Sequence, residues 1–261
     1  MTTAMIDLRE VITAAARGAG RSQQVAIGPS EIGVGCDRRL AMGLLGAPKP
    51  NEDRDEWTSS VGTACHSWME EAFRLDNALR IKRGMWARWL IEQTVEIRTG
   101  LTGHCDLYDL QTHTVIDHKF PGVTSIRKYR KQGHPGKQYR WQAHLYGMGW
   151  ANAGLPVENV MLVMWPRSGL LTDAWSWSEP YTPEVAHEAL ARVDGLLSAM
   201  NAADHMGELE TMVDMLDRDT EHCSWCGFYD PAATDPTKGC RGPFYDEGHV
   251  DPKLQKVAGI L

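Results

Sequence analysis

Two aspartates and a lysine stand where a short hairpin would gather them. Gly103-His104-Cys105-Asp106 and Val115-Ile116-Asp117-His118-Lys119 read as strands that turn over Gln111-Thr112, pairing Leu110 with His113, Tyr108 with Val115 and Asp106 with Asp117. In that register the carboxylates lie opposite each other on one face, and period-2 geometry adds Lys119 to the same face. Like charges opposed in a sheet are destabilising, and a divalent cation between them removes the cost. Hard oxygen ligands suit Mg²⁺ or Mn²⁺, which keep positions open for water and phosphate oxygens. A neighbouring lysine can help hold and deprotonate an attacking water and offset negative charge developing at phosphorus. The bare pattern also fits a surface hairpin with a charged wet face, and its turn lacks the Asn-Gly or Asp-Gly signal.

Four cysteines form a second constellation. Cys223-Ser224-Trp225-Cys226 is a C-x-x-C in a loop-rich tail, Cys240 follows, and Cys36 far upstream is the obvious fourth ligand. Cys65 and Cys105 sit inside regular elements and read as small buried residues. Four thiolates suit a structural Zn²⁺ or an iron-sulfur cluster, and spacing alone does not separate the two. His222 is a possible substitute ligand. Joining the tail to an N-terminal helix closes a loop of nearly the whole chain, which gives the metal a structural role.

Elements able to position these residues follow from periodicity. Helices are expected over Ile6–Ala16, from an N-cap at Ser30 to Leu45, over Trp57–Leu75, and in a shorter piece over Met85–Ile91. In the third helix Val61, Ala64, Trp68, Ala72 and Leu75 recur at helical spacing. Strands are expected at Thr94–Arg98, Gly103–Leu110, Thr114–Phe120, Val157–Trp165 and Thr172–Ser178, with further helices over Gly136–Ala153 and Glu184–Asn201. Helices around a compact group of strands give an α/β or α+β chain with one central sheet. Gly62, His66 and Glu70 share one face of the third helix at i, i+4 and i+8, and Gln142 and Tyr146 share a face of the later one.

The order His, Asp, Asp-x-Lys, Gln-x-x-x-Tyr resembles the RecB-like branch of the PD-(D/E)xK nucleases, over most of the chain from Ser30 to Cys240. The resemblance implies a restriction-endonuclease-like core, a central mixed sheet flanked by helices. It implies His66, Asp106, Asp117 and the backbone carbonyl of His118 as metal ligands and Lys119 as the catalytic lysine. Gln142 and Tyr146 match the downstream helical motif that helps orient the lysine and the nucleic acid, and Glu70 would stand behind the ligands. Cys105 replaces the motif's proline, and Asp117 its commoner glutamate. One distant cysteine with three near the C-terminus resembles the 4Fe-4S arrangement of AddB and the CRISPR-associated exonucleases, although the gap from Cys226 to Cys240 needs a local insertion. The same resemblance makes residues 1–261 a single nuclease domain: an N-terminal helical region 1–55, a catalytic core 56–202 and a cluster-binding region 203–261.

Charge bears on the substrate. The chain carries 27 basic and 34 acidic residues, a net charge of -7, which at first sight argues against nucleic acid. From His118 to Val157, however, there are seven basic residues and no acidic one. Arg127, Lys128, Arg130, Lys131, Lys137 and Arg140 alternate there with aromatics, a pattern suited to single-stranded DNA: cations follow phosphates while rings stack on bases. Gly133-His134-Pro135-Gly136 suggests a mobile turn within the stretch. Neither a membrane-length apolar run nor a secretory signal is visible, so the expected compartment is the cytoplasm. The activity expected is a Mg²⁺- or Mn²⁺-dependent DNA exonuclease acting on single-stranded ends in recombination, repair or end processing. The alternatives are a structure-specific endonuclease and a non-catalytic DNA-binding module with a structural four-cysteine metal site. No G-x-x-x-x-G-K-S/T phosphate loop is present, so unwinding would need a helicase or recombination partner.

Overall fold

The computed structural model describes residues 12, 13, 15, 27–51, 57–218 and 223–242. Two earlier expectations fall outside them: the helix over Ile6–Ala16, apart from Ile12, Thr13 and Ala15, and His222 as a ligand. The chain divides into two units, 1–33 with 56–192, and 34–55 with 193–261.

The first unit is built on a five-stranded mixed sheet of β1 (Trp89–Arg98), β2 (Leu101–Asp109), β3 (Thr114–Lys119), β4 (Asn159–Met164) and β5 (Trp175–Pro180) in sequential order. All neighbours are antiparallel except β3 and β4, which are parallel. A parallel pair needs a crossover, here α4 (Val123–Gln132) and α5 (Lys137–Asn152). Every residue of α5 from Trp141 to Trp150 is buried. Its Ala143, Tyr146 and Trp150 pack on Val95, Cys105, Tyr108, Val115 and Val160. The opposite face of the sheet carries Ile91, Leu107 and Ile116, packed with Phe73 of α3 (Trp57–Lys82). The resulting architecture is α/β, a mixed sheet between helices.

One position breaks the alternation of these strands. Ile91 and Leu107 pack on the α3 side, whereas Val95 and Cys105, of the same parity, pack on the α5 side. The change of face falls at Glu92 and Asp106, which the β1–β2 ladder skips, and Glu92 has a left-handed φ of 50°. A non-glycine residue in that region rotates the strand about its axis and costs about 1–3 kcal/mol.

Several expected boundaries shift for identifiable reasons. The helix from Ser30 to Leu45 is instead α1 (Pro29–Ile32), capped by Gly28, and α2 (Asp37–Leu44), capped by Cys36. At Gly33 between them a Cβ would lie 2.5 Å from the Gln138 Cα, so close backbone packing in the first unit interrupts the periodicity. No helix forms over Met85–Ile91. The Asn77 side chain accepts from the amides of Arg88 and Trp89 and donates to the Trp89 carbonyl, so the chain enters β1 there. The Val61, Ala64, Trp68, Ala72, Leu75 stripe is not the buried face of α3. Trp68 and Leu75 are 64% and 60% exposed, because His66, Phe73 and Asn77 are the residues turned to the sheet. Thr172 lies in a 3-10 turn, Leu171–Asp173, and β5 begins at Trp175.

Gly103 on β2 also permits close packing. A Cβ there would stand 2.5 Å from the Tyr146 ring and 2.8 Å from Pro29. Gly103→Ala is expected to cost about 1–3 kcal/mol of stability in urea unfolding; unchanged stability would mean that the ring moves freely.

The second unit holds the four cysteines in question. Cys36 caps α2, its sulfur accepting from the Arg39 amide at 3.3 Å. Met42, Phe228 and Cys240 form a small core with Ala47 and Cys226. Asn51 ties the N-terminal segment to the tail by donating to the carbonyls of Ser224 and Cys226. Arg38, buried beneath the short helix Leu209–Met215, donates to the Asp214 carboxylate at 2.6 Å, to the Asp214 carbonyl and to the Pro236 carbonyl.

Candidate active site

A cleft of about 410 Å³ in the first unit is lined by His66 and Glu70 from α3, Glu92 from β1, His104 and Asp106 from β2, Asp117 and Lys119 from β3, and Gln142 and Tyr146 from α5. The ladder pairs Leu107 with Ile116, Tyr108 with Val115 and Asp109 with Thr114. This is the register the hairpin arithmetic requires, although the ladder stops one pair short of Asp106 and Asp117. Asp106 instead extends across the gap: its Oδ2 accepts from the His118 amide at 2.6 Å, and its Oδ1 lies 3.3 Å from His66 Nδ1. Asp117, two residues beyond Val115, belongs to the α5 side. Gln142 Nε2 donates to its Oδ1 at 3.3 Å and to the Tyr146 hydroxyl at 3.0 Å, and Lys119 Nζ stands 2.6 Å from its Oδ2. The two aspartates thus share one cleft through different partners rather than facing each other squarely.

Glu92 is the residue that sequence reasoning missed. Its carboxylate, Asp106 and His66 place ligand atoms within 4.8 Å of one another, and among the described residues no other three histidine, cysteine or acidic side chains do so. His104 Nε2 holds the Glu92 carboxylate at 2.7 Å. The available signal was the β1 register, which sets Glu92 opposite Asp106, but the expected strand began only at Thr94. Glu70 lines the cleft and pairs with Arg74 at 2.5 Å.

The electrostatics suit a cation. Burial and the Asp106 charge raise the Asp117 carboxyl to about 6 against the pull of Lys119. Burial, then Asp106, also raises Glu92. Burial pushes Asp106 upward too, but the His66 ring and Lys119 outweigh it and leave it below its ordinary value. The His118 ring is turned away and stacked on Phe73, and burial lowers its pKa to about 4, so it is neutral there. Crowded carboxylates with an imidazole at ligand distance fit Mg²⁺ or Mn²⁺.

The sign of the pH effect follows. The Asp117 pKa of the folded chain exceeds the ordinary 3.8, so the stability contributed by its proton is full below that value and lost as pH rises through about 6. A divalent cation requires the deprotonated carboxylates. Added Mg²⁺ or Mn²⁺ is therefore expected to raise the melting temperature more at about pH 7.5 than at about pH 5. Equal rises, measured by calorimetry, would remove the carboxylates from the ligand set.

The basic stretch differs from its expected form. Arg127, Lys128, Arg130 and Lys131 belong to the helix α4, closed by Gly133 in the left-handed conformation, and the expected turn over Gly133-His134-Pro135-Gly136 joins it to α5. Its aromatics do not present faces to solvent: Tyr129 and Tyr139 pack against Ile126, Leu162 and Met164, and Trp141 is buried. Arg130 donates to the carbonyls of Asp173 and Ala174, Arg140 pairs with Glu179 at 2.6 Å, and Lys137 lies over the Trp141 ring. Arg127, Lys128 and Lys131 remain exposed.

In the second unit none of the four cysteines is in a disulfide. Burial raises the Cys226 thiol, Arg39 opposes the shift, and the nearby Cys240 and Cys36 add to it. No three of the sulfurs approach within 4.8 Å. Tetrahedral Zn²⁺ would hold them about 3.8 Å apart.

No protein-family model matches this chain, and no curated protein does. Among solved structures, an alkaline exonuclease from Laribacter hongkongensis is 13% identical, with 74% of this chain and 96% of that one covered at a TM-score of 0.48. The same exonuclease in complex with dAMP gives 14% identity, 73% and 95% coverage and a TM-score of 0.47. A phage-related exonuclease from Haemophilus somnus 129PT is similar at 17% identity, 50% and 66% coverage and a TM-score of 0.34.

Proposed function

We propose that this chain is a divalent-metal-dependent deoxyribonuclease that removes nucleotides from single-stranded DNA ends. The observation that carries the proposal is the convergence of His66, Glu92, Asp106, Asp117 and Lys119 in one cleft. His66, Glu92 and Asp106 would hold Mg²⁺ or Mn²⁺, with Asp117 beside them and the His118 carbonyl at the same strand end. When bound, the cation supplies Lewis-acid polarisation of the phosphodiester. Lys119, paired with Asp117, offers a positive charge to the oxygens that gain charge during hydrolysis. Gln142, itself held against the Tyr146 hydroxyl, fixes the Asp117 carboxylate. Arg127, Lys128 and Lys131 on α4 offer phosphate contacts without stacking.

The test is digestion of end-labelled single-stranded DNA with Mg²⁺ or Mn²⁺. Wild-type protein is expected to release terminal nucleotides and to leave a single-stranded circle uncut, while Lys119→Ala slows release by about a hundredfold or more. A variant as fast as wild type would sink the reading, and a cut circle would make the chain an endonuclease.

For the cysteines, the same proposal takes the 4Fe-4S cluster over zinc. What supports a shared metal is that Cys226 and Cys240 join one small core and that Cys36 and Cys240 both act on the Cys226 thiol; the choice of cluster rests on the order of one distant cysteine and three near the C-terminus. Anaerobically purified protein is expected to be brown and to contain iron and labile sulfide. Colourless protein with stoichiometric zinc would reverse the choice.

A further inference from the structure

The link between α3 and β1 presents a second combination of cations and an aromatic ring, outside the cleft. Arg80-Ile81-Lys82-Arg83-Gly84-Met85-Trp86-Ala87-Arg88 contains four basic residues and no acidic one. Trp86 is 92% exposed, more than any other large hydrophobic side chain among the described residues, and Met85 beside it is 42% exposed. Leaving an indole in water forfeits its burial energy, and nothing in the fold needs it there.

The link is also fastened at both ends. Gly84, at a φ of 77°, closes α3: its amide bonds to the Ile81 carbonyl while the Met85 amide bonds to that of Arg80. At the other end Arg88 makes a two-pronged pair with Asp109 at 2.9 and 2.6 Å and lies over the Trp89 ring, while Asn77 holds the Arg88 and Trp89 amides. Arg88 is thereby committed to the fold. Lys82 and Arg83 are exposed, and neither forms an ion pair with another described residue. An exposed ring on a braced turn, next to two uncommitted cations, is a preorganised surface.

We propose that Trp86, Lys82 and Arg83 form a binding site for single-stranded nucleic acid, Trp86 stacking on an unpaired base and the two cations meeting its phosphates. The inference rests on the nuclease reading for its choice of ligand and extends it beyond the cleft. Bases offer π-faces whatever the sequence, so one exposed indole serves any strand. The chemistry excludes an acidic peptide as the best occupant, because the ring would then have no partner. Trp86 lies six residues before Glu92, at most about 20 Å of extended chain, so a strand with its end in the cleft can reach it within a few nucleotides. This is also the role that the inward-facing Tyr129, Tyr139 and Trp141 leave unfilled.

The experiment uses the full chain in EDTA with a fluorescent oligodeoxythymidylate of about thirty nucleotides, read by anisotropy. Trp86→Ala is expected to weaken binding about tenfold, and Trp86→Phe to restore most of the loss. The Lys82→Ala/Arg83→Ala pair is expected to reduce the slope of log affinity against log salt by about 1.4. With 5-iodouracil in the strand, irradiation should attach DNA to the peptide containing Trp86. Because these side chains are exposed, melting temperatures should stay at the wild-type value, which separates lost binding from lost fold. Wild-type affinity in all variants, or crosslinks only elsewhere, would overturn the site. So would loss of association with anionic lipid vesicles while DNA binding is unchanged. Digestion by the wild-type protein, followed in parallel with Mn²⁺, keeps the two ideas apart. Crosslinking at Trp86 without digestion retains the site and removes the nuclease reading, and digestion with unaltered variant affinities does the reverse.

Discussion

Replacing Asp106 with alanine is expected to lower metal-dependent DNA cleavage by about a thousandfold, the largest loss for any single residue of the cleft. Three other groups depend on this carboxylate: the His66 ring, the His118 amide, and Glu92 within the same ligand group. Its removal takes away one of the carboxylates proposed to hold the metal and leaves the buried His118 N–H without its acceptor, at a further cost of about 1–3 kcal/mol. Asp106→Asn is the informative companion. It keeps an acceptor for the His118 amide but carries no charge, so it should recover much of the stability and little of the cleavage. Rates from end-labelled digestion and stabilities from urea titration separate the two effects. Alanine and asparagine variants that cleave near the wild-type rate would place the chemistry elsewhere.

The second large effect belongs to the other unit. Asp214→Ala should destabilise it by about 1–3 kcal/mol, because it takes the carboxylate from a buried guanidinium, an effect softened by the solvent around the exposed Asp214 side chain. Arg38 is only 1% exposed, and Asp214 supplies its one carboxylate among the contacts described. Two carbonyl acceptors, of Asp214 and Pro236, remain but carry no net charge. The double variant Arg38→Met/Asp214→Leu removes both charges and should be more stable than Asp214→Ala alone. A double variant less stable than the single one would show that the ion pair is itself stabilising rather than merely costly to break.

The hairpin was legible because two local rules sufficed there. Once Gln111-Thr112 is the turn, the pairs follow by counting, and alternation puts Lys119 beside Asp117. Glu92 stayed hidden because the expected strand began only at Thr94, and its left-handed φ then changes the face of the strand inside the cleft. Period-2 reasoning assumes an unbroken pleat, and the pleat breaks at the site. The stripe on α3 misled for a related reason: Trp68 and Leu75 have the spacing of a core face, yet the sheet takes the side carrying His66 and Phe73. In the basic stretch, aromatics at helical spacing could not be divided by sequence between solvent and the Leu162 and Met164 surface that buries them. The interruption at Gly33 was invisible because its cause, the Gln138 backbone, lies a hundred residues away.

The kink at Glu92 has a consequence for solubility. β1 is an edge strand of ten residues, long enough to template pairing with a second chain. A flat strand of that length invites edge-to-edge aggregation. Here the rotation at Glu92 spoils its straightness near the middle, Asn152 occupies the carbonyls of Glu96 and Ile97, and the exposed carboxylate of Glu96 repels a like neighbour. The distortion that aims a ligand inward also keeps the outer rim of the sheet from recruiting a copy of itself.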